Sequence, residues 1–104
     1  MNVKSVSVSR FLKAIEENAL VFDTRAKAQY LHDGLRGSTH LSLEAVQNGT
    51  YPDVAKNEAI YLLCEYGQIS ELVGLYLENA GFTNVHNVTG GMKSVREHAK
   101  LIDE

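Results

Sequence analysis

The sequence predicts an α/β fold in which a small central, mostly parallel sheet of about five strands is flanked by helices on both faces. Three observations predict it. Apolar runs such as Leu20-Val21-Phe22 and Ala59-Ile60-Tyr61-Leu62-Leu63 are continuous rather than alternating, the pattern of strands buried on both faces. Segments with three- and four-residue apolar spacing lie between such runs, so strands and helices alternate along the chain. Finally, 104 residues with 44% hydrophobic content and a single proline suit one ordered core, so residues 1–104 are expected to form a single domain.

Residues 5–8 alternate polar and apolar side chains and suggest a short edge strand. Ser9 is the expected cap of a helix with Phe11, Leu12 and Ile15 on one face, closed by Asn18. Leu20-Val21-Phe22 is a strand that stops at the polar Asp23-Thr24-Arg25. Residues 26–32 allow two helical turns with Ala26, Tyr30 and Leu31 inward, and Asp33-Gly34 and Arg36-Gly37 punctuate the chain after them. Thr39-His40-Leu41 is a short strand, residues 43–46 make one or two helical turns ending near Asn48-Gly49, and Tyr51-Pro52-Asp53 is loop chemistry.

Residues 59–63 give the clearest strand and residues 69–80 the clearest helix, with Ile69, Leu72, Val73, Tyr76 and Ala80 expected to face the core. Gly81 is the expected left-handed stop. Residues 85–88 form another strand, Thr89-Gly90-Gly91 a turn, and residues 94–102 a helix opened by a capping box of Ser94 with Glu97.

The formal charge of −3, with no block of Lys or Arg, leaves no electrostatic footprint for nucleic acid or an anionic membrane. Residues 1–8 lack a continuous apolar signal segment, and no run approaches the ~18 apolar residues of a membrane span, so a cytoplasmic protein is expected. His32, His40, His86 and His98 have no ligand spacing to one another or to the single cysteine; neither a metal nor any other cofactor is expected.

Ligands of parallel sheets gather beyond the carboxyl ends of the strands. Asp23 and Arg25 follow one strand, Cys64 a second and Thr89-Gly90-Gly91 a third, so all three clusters should meet on one edge. Cys64 opens the stretch Cys64-Glu65-Tyr66-Gly67-Gln68-Ile69-Ser70 between the clearest strand and the clearest helix. Thiolate is the reactive form of cysteine, and an unperturbed thiol is only about 3% ionised at pH 7. Backbone N–H groups from Glu65 to Ser70, together with the dipole of the following helix, are suited to stabilising an anionic sulfur. Gly67 lets the turn adopt backbone angles that a side chain resists. Glu65 opposes the anion unless it pairs with a cation, and the stretch holds no Lys or Arg. Arg25 is the candidate for that positive charge, with Asp23 orienting it or accepting N–H bonds from the loops. Two plainer readings stand beside these: Cys64 as a buried structural thiol, and Asp23–Arg25 as a structural ion pair.

Leu20-Val21-Phe22-Asp23-Thr24-Arg25, then Gly34-Leu35-Arg36-Gly37-Ser38, then Ile60 to Ser70, then Gly81-Phe82, then Val88-Thr89-Gly90-Gly91-Met92, resemble in order and spacing a single-domain rhodanese. The resemblance covers nearly the whole chain and implies the rhodanese-like fold and sulfurtransferase chemistry. It implies Cys64 as the nucleophile that takes a sulfane sulfur from thiosulfate or a persulfide and passes it to a thiophilic acceptor: cyanide, a thiol or an acceptor protein. It implies that Glu65, Tyr66, Gly67, Gln68, Ile69 and Ser70 form the persulfide-binding loop, with Asp23 and Arg25 as the Asp-x-Arg element. Gly34 stands where members commonly carry His, and the loop lacks the Arg that many members have, which disfavours a dianionic donor. Ser70 occupies the place of the phosphate-clamping Arg of the related cell-cycle phosphatases, which argues against phosphatase activity. The alternative function is a non-catalytic binding, regulatory or redox-sensing module of the same fold.

Overall fold

Pairing of Val6 with Val88 ends β1 (Lys4–Val6) and leaves Ser7 extended, where its hydroxyl accepts the Arg10 N–H at 3.2 Å and starts α1 (Val8–Glu16). The expected cap at Ser9 is thus corrected to Ser7: Ser9 lies inside the first turn, because the strand stops two residues earlier than its alternation suggested. Asn18, left-handed at φ 64°, closes the turn into β2 (Leu20–Asp23). The structure is a computed structural model and describes residues 3–103, with the backbone alone for 101–103.

The remaining elements are α2 (Lys27–Asp33), β3 (Thr39–His40), α3 (Leu43–Gln47), β4 (Ile60–Leu63), α4 (Gln68–Asn79), β5 (Val85–Val88) and α5 (Gly91–Asp103). The five strands form one sheet in the order β1-β5-β4-β2-β3, and every pair is parallel. The predicted fold class is therefore observed. Alternation along the strands sends Phe22, Ile60, Leu62 and Val85 to one face, packed with Val46 of α3 and Val73 and Leu77 of α4. Val21, Leu63 and Val88 go to the other face, with Phe11 of α1 and Met92 and Val95 of α5. Both faces are covered, which is why the strand sequences read as continuous apolar runs.

Two expected faces and one expected helix start are corrected. In α4, Val73 is buried and Ala80 packs partly buried against the core as expected, but the rest of the buried stripe is Ser70, Gly74 and Leu77, whereas Ile69, Leu72 and Tyr76 are exposed. The helix is turned by about one residue because Ser70 is held inward by hydrogen bonds, and because Gly74 lets the helix lie close to Leu62 and Val3. Its inward stripe contains two residues without apolar side chains, so hydrophobic spacing selected the neighbouring stripe. In α2, Leu31 is 70% exposed and Ala26 lies in solvent; Tyr30 alone turns in, stacking on His40 and donating its hydroxyl hydrogen to the Ser38 carbonyl at 2.9 Å. α5 begins at Gly91 and not at Ser94, so no capping box forms; the N–H groups of Met92 and Lys93 instead donate to the carbonyls of Cys64 and Glu65 at 2.8 and 3.0 Å. Glu97 is free to pair with Lys93 one turn earlier.

Candidate active site

The strand order places the carboxyl ends of β2, β4 and β5 side by side, so Asp23, Cys64 and the Thr89-Gly90-Gly91 turn converge on one edge of the sheet. Register brings Asp23 opposite Leu63, one residue before Cys64, and Leu62 opposite Asn87. Two glycines close the site. Gly67, at φ 96°, caps α4 without a side chain, and a Cβ there would press on Gly90 N at 3.2 Å and Val88 O at 3.3 Å. Gly91, at φ 61°, lies so near the backbone of Cys64 and Glu65 that a Cβ would overlap the Cys64 carbonyl oxygen. Its bareness lets the first turn of α5 grip that backbone.

Cys64 is 3% exposed, and its sulfur lies at the amino end of α4. Of the amides from Glu65 to Ser70, those of Gly67 and Ser70 donate to Cys64 Sγ, at 3.0 and 3.3 Å. Ser70 Oγ lies 3.2 Å from Sγ. Behind it, Ser70 Oγ donates to Asn87 Oδ1, and Asn87 Nδ2 donates to the Gly67 carbonyl at 2.9 Å, closing a ring of bonds back onto the loop. Backbone donors and the positive end of a twelve-residue helix both favour negative charge on the sulfur. The side chains of Tyr66, Gln68 and Ile69 point outward, Tyr66 being 62% exposed at the rim.

Arg25 is buried and meets three carboxylates. Its guanidinium donates to both oxygens of Asp23, Nη2 to Oδ2 at 2.9 Å and Nε to Oδ1 at 3.1 Å, and the Asp23 carboxylate also accepts the Arg25 backbone N–H at 3.0 Å. Nη1 reaches Asp33 at 2.9 Å and Glu65 at 3.3 Å. Arg96, from the second turn of α5, donates to the same two acids, at 2.8 Å to Asp33 and 2.5 Å to Glu65. The result is an alternating network of two arginines and three carboxylates beside the loop. Hydrogen bonding to Asp23 raises the pKa of Arg25 well above its ordinary value, and bonding to Arg96 first, then Arg25, holds Glu65 below the usual carboxylate range. Asp33 is lowered in the same way, chiefly by Arg96. Glu65, a liability for an anionic sulfur when read alone, is thus neutralised by two cations. An open depression of about 490 Å³ lies over this network, with Tyr66 and His32 in its wall.

Arg96, Asp33 and Asn87 were not singled out from the sequence. Arg96 was hidden by the assumed start of α5 at Ser94; a helix running directly out of the Thr89-Gly90-Gly91 turn places it one turn and a half from the site. Asn87 carried a visible signal, a polar residue inside a four-residue buried strand. Among the described residues no three His, Cys, Asp or Glu side chains gather to hold a metal ion, and no helix is long and apolar enough to cross a membrane.

Comparison with known proteins bears on this geometry. The model for the family "Rhodanese-like domain" matches residues 7–98. A curated relative, the adenylyltransferase and sulfurtransferase uba4 of Ogataea parapolymorpha, is 36% identical over 70 residues, covering 67% of this chain but only 18% of that protein. The thiosulfate sulfurtransferase GlpE of Pseudomonas entomophila is 29% identical over 94 residues, covering 86% of this chain and 82% of the relative. Among solved structures, a rhodanese-like domain protein from Staphylococcus aureus superposes with a TM-score of 0.78 at 23% identity, covering 88% of this chain and 90% of that one.

Proposed function

The chain belongs to the rhodanese-like domain family, and from that membership we propose that it is a sulfurtransferase whose Cys64 carries a sulfane sulfur as a persulfide. The observation that carries the proposal is the sulfur's position. Cys64 Sγ accepts the Gly67 and Ser70 amides at the amino end of α4, on the sheet edge where substrates of parallel sheets collect. Sulfurtransferase relatives of modest identity support the reaction class.

In the first half-reaction the Cys64 thiolate attacks the outer sulfur of the donor. A new S–S bond forms, the donor's bond to that sulfur breaks, and its electron pair leaves with the remainder, sulfite from thiosulfate or a thiolate from a persulfide. In the second, a thiophilic acceptor attacks the terminal sulfur and the Cys64 thiolate departs. The loop amides offset charge in both halves without a cation in the loop. Arg25 and Arg96 are each bonded to carboxylates. That arrangement favours a persulfide or other donor of low charge over thiosulfate, and an acceptor that is a thiol or a protein.

Intact mass after incubation with a persulfide donor, and separately with thiosulfate, tests the proposal. The expected result is the gain of one sulfur atom by the wild type, removed by cyanide or dithiothreitol, and none by Cys64→Ser. A wild type that gains no sulfur from either donor overturns it in favour of a binding or regulatory module.

A further inference from the structure

The hydrogen-bond ring behind the sulfur fixes which way the Ser70 hydroxyl points. Asn87 Nδ2 faces the Gly67 carbonyl, which can only accept, so the amide cannot be reversed without setting two acceptors against each other. Asn87 Oδ1 therefore faces Ser70 Oγ, and the one hydrogen available between these two oxygens belongs to Ser70. Ser70 is fully buried and Asn87 is 7% exposed, so water does not supply a substitute hydrogen. With its hydrogen committed to Asn87, Ser70 presents a lone pair to Cys64 Sγ at 3.2 Å.

We propose that Asn87 is a positioning residue that turns the Ser70 hydroxyl into an acceptor toward Cys64, so that this pair favours the neutral thiol and restrains the thiolate. The thiol satisfies every group in the ring: two amides donate to sulfur, S–H donates to Ser70 Oγ, and Ser70 donates to Asn87. When the proton leaves to solvent the electron pair stays on sulfur. Ser70 must then either hold a lone pair against that anion or take its hydrogen from Asn87, leaving two buried oxygens in contact without one. The loop amides pull toward the thiolate and the Ser70–Asn87 pair pulls back. Once a persulfide is formed, the charge moves to the outer sulfur and Cys64 Sγ carries neither proton nor charge, so the restraint no longer acts. The ring thus favours a resting cysteine protected from adventitious oxidation and a loaded cysteine that is not penalised.

The inference deepens the sulfurtransferase reading by naming how its nucleophile is held at rest, but its test needs no sulfur donor. Iodoacetamide alkylation of Cys64, the single cysteine, is followed from pH 5 to 10. The ionisable groups on the surrounding elements stay in place in every variant: Asp23 and Arg25, Asp33 of α2, Glu65 and Tyr66 of the loop, Glu71 of α4, and Lys93 and Arg96 of α5.

For Ser70→Ala the midpoint of the pH profile is expected to move down, raising the alkylation rate at pH 7 about three- to tenfold, the worth of one hydrogen bond. A Ser70 that served as donor to the thiolate would give the opposite shift, and a midpoint shifted up or unmoved overturns the proposal. Asn87→Ala is expected to move the midpoint down as well, because the Ser70 hydrogen becomes available to sulfur. Loosening of the loop by loss of the Gly67 contact raises the limiting rate at high pH without moving the midpoint, which separates a purely structural role. If Asn87→Ala does not fold by circular dichroism, Ser70→Ala alone decides. A failed sulfur-loading test with a shifted midpoint would overturn the sulfurtransferase reading and leave this one standing.

Discussion

Arg25→Met and Asp23→Asn break the same ion pair from its two sides, and the structure predicts that they are far from equivalent. Asp23 is 0% exposed, and once the guanidinium is gone its carboxylate keeps only the Arg25 backbone N–H at 3.0 Å. A buried charge stranded in this way costs about 3–5 kcal/mol. In Asp23→Asn the amide oxygen still accepts that N–H, and Arg25 keeps Asp33 at 2.9 Å and Glu65 at 3.3 Å, so the loss is limited to the charge-assisted bonds, about 1.5–3 kcal/mol. At a urea m-value of about 1–1.5 kcal/mol/M, Arg25→Met should lower the midpoint by ~2–5 M and Asp23→Asn by ~1–3 M. Urea titration followed at 222 nm reads this directly. The double variant should be more stable than Arg25→Met alone, since no carboxylate is stranded. Equal losses for the single variants, or a double variant showing their sum, would refute it.

Arg96→Ala leaves Glu65 and Asp33 to Arg25 alone; with a side chain 42% exposed and screened by solvent, its loss should cost only about 1 kcal/mol. Because both acids are held below their ordinary values, their stabilisation is present above pH ~4.5 and disappears as pH falls through the lowered values, so thermal melts of Arg96→Ala should show a shallower acid limb than the wild type. Burial lowers the pKa of His86, so its neutral form is favoured in the fold and stability should fall as pH drops below 6.5; His86→Phe, which keeps the stack on Tyr61, should flatten that part of the melting-temperature profile. Gly91→Ala forces a Cβ into the Cys64 carbonyl and should cost more than ~2 kcal/mol by chemical denaturation while increasing the alkylation rate of Cys64.

Those residues also show how far the sequence could be read. Elements announced by apolar runs, β2, β4 and β5, were legible to within a residue, and the parallel order followed from their alternation with helices. Cys64 and Asp23 were legible in position because each stands at the end of such a run, and Gly67 because it falls in the turn between β4 and α4. Errors fell where a polar or absent side chain does the packing. Ser70 and Gly74 face the core of α4, so its hydrophobic spacing pointed about one residue away from the observed face. Two first-turn amides of α5 are satisfied by another strand's loop and not by a local cap, so the chain around Ser94 gave a false start. Arg96 and Asp33 meet 63 residues apart in sequence, a pairing that only the strand order reveals.

That long-range closure has a consequence for how the protein is made. β5 fills the place between β1 and β4, so during synthesis the first strand has no neighbour until residues 85–88 have left the ribosome. The carbonyls of Cys64 and Glu65 wait longer still, for the amides of Met92 and Lys93. A nascent chain therefore carries its cysteine loop well before Asn87 and the first turn of α5 arrive to brace it, and the site is completed together with the sheet. Reactivity of that thiol in a population of chains is then a measure of completed folding, and any lesion that delays β5 or α5 should be read out first at a sulfur more than twenty residues earlier in sequence.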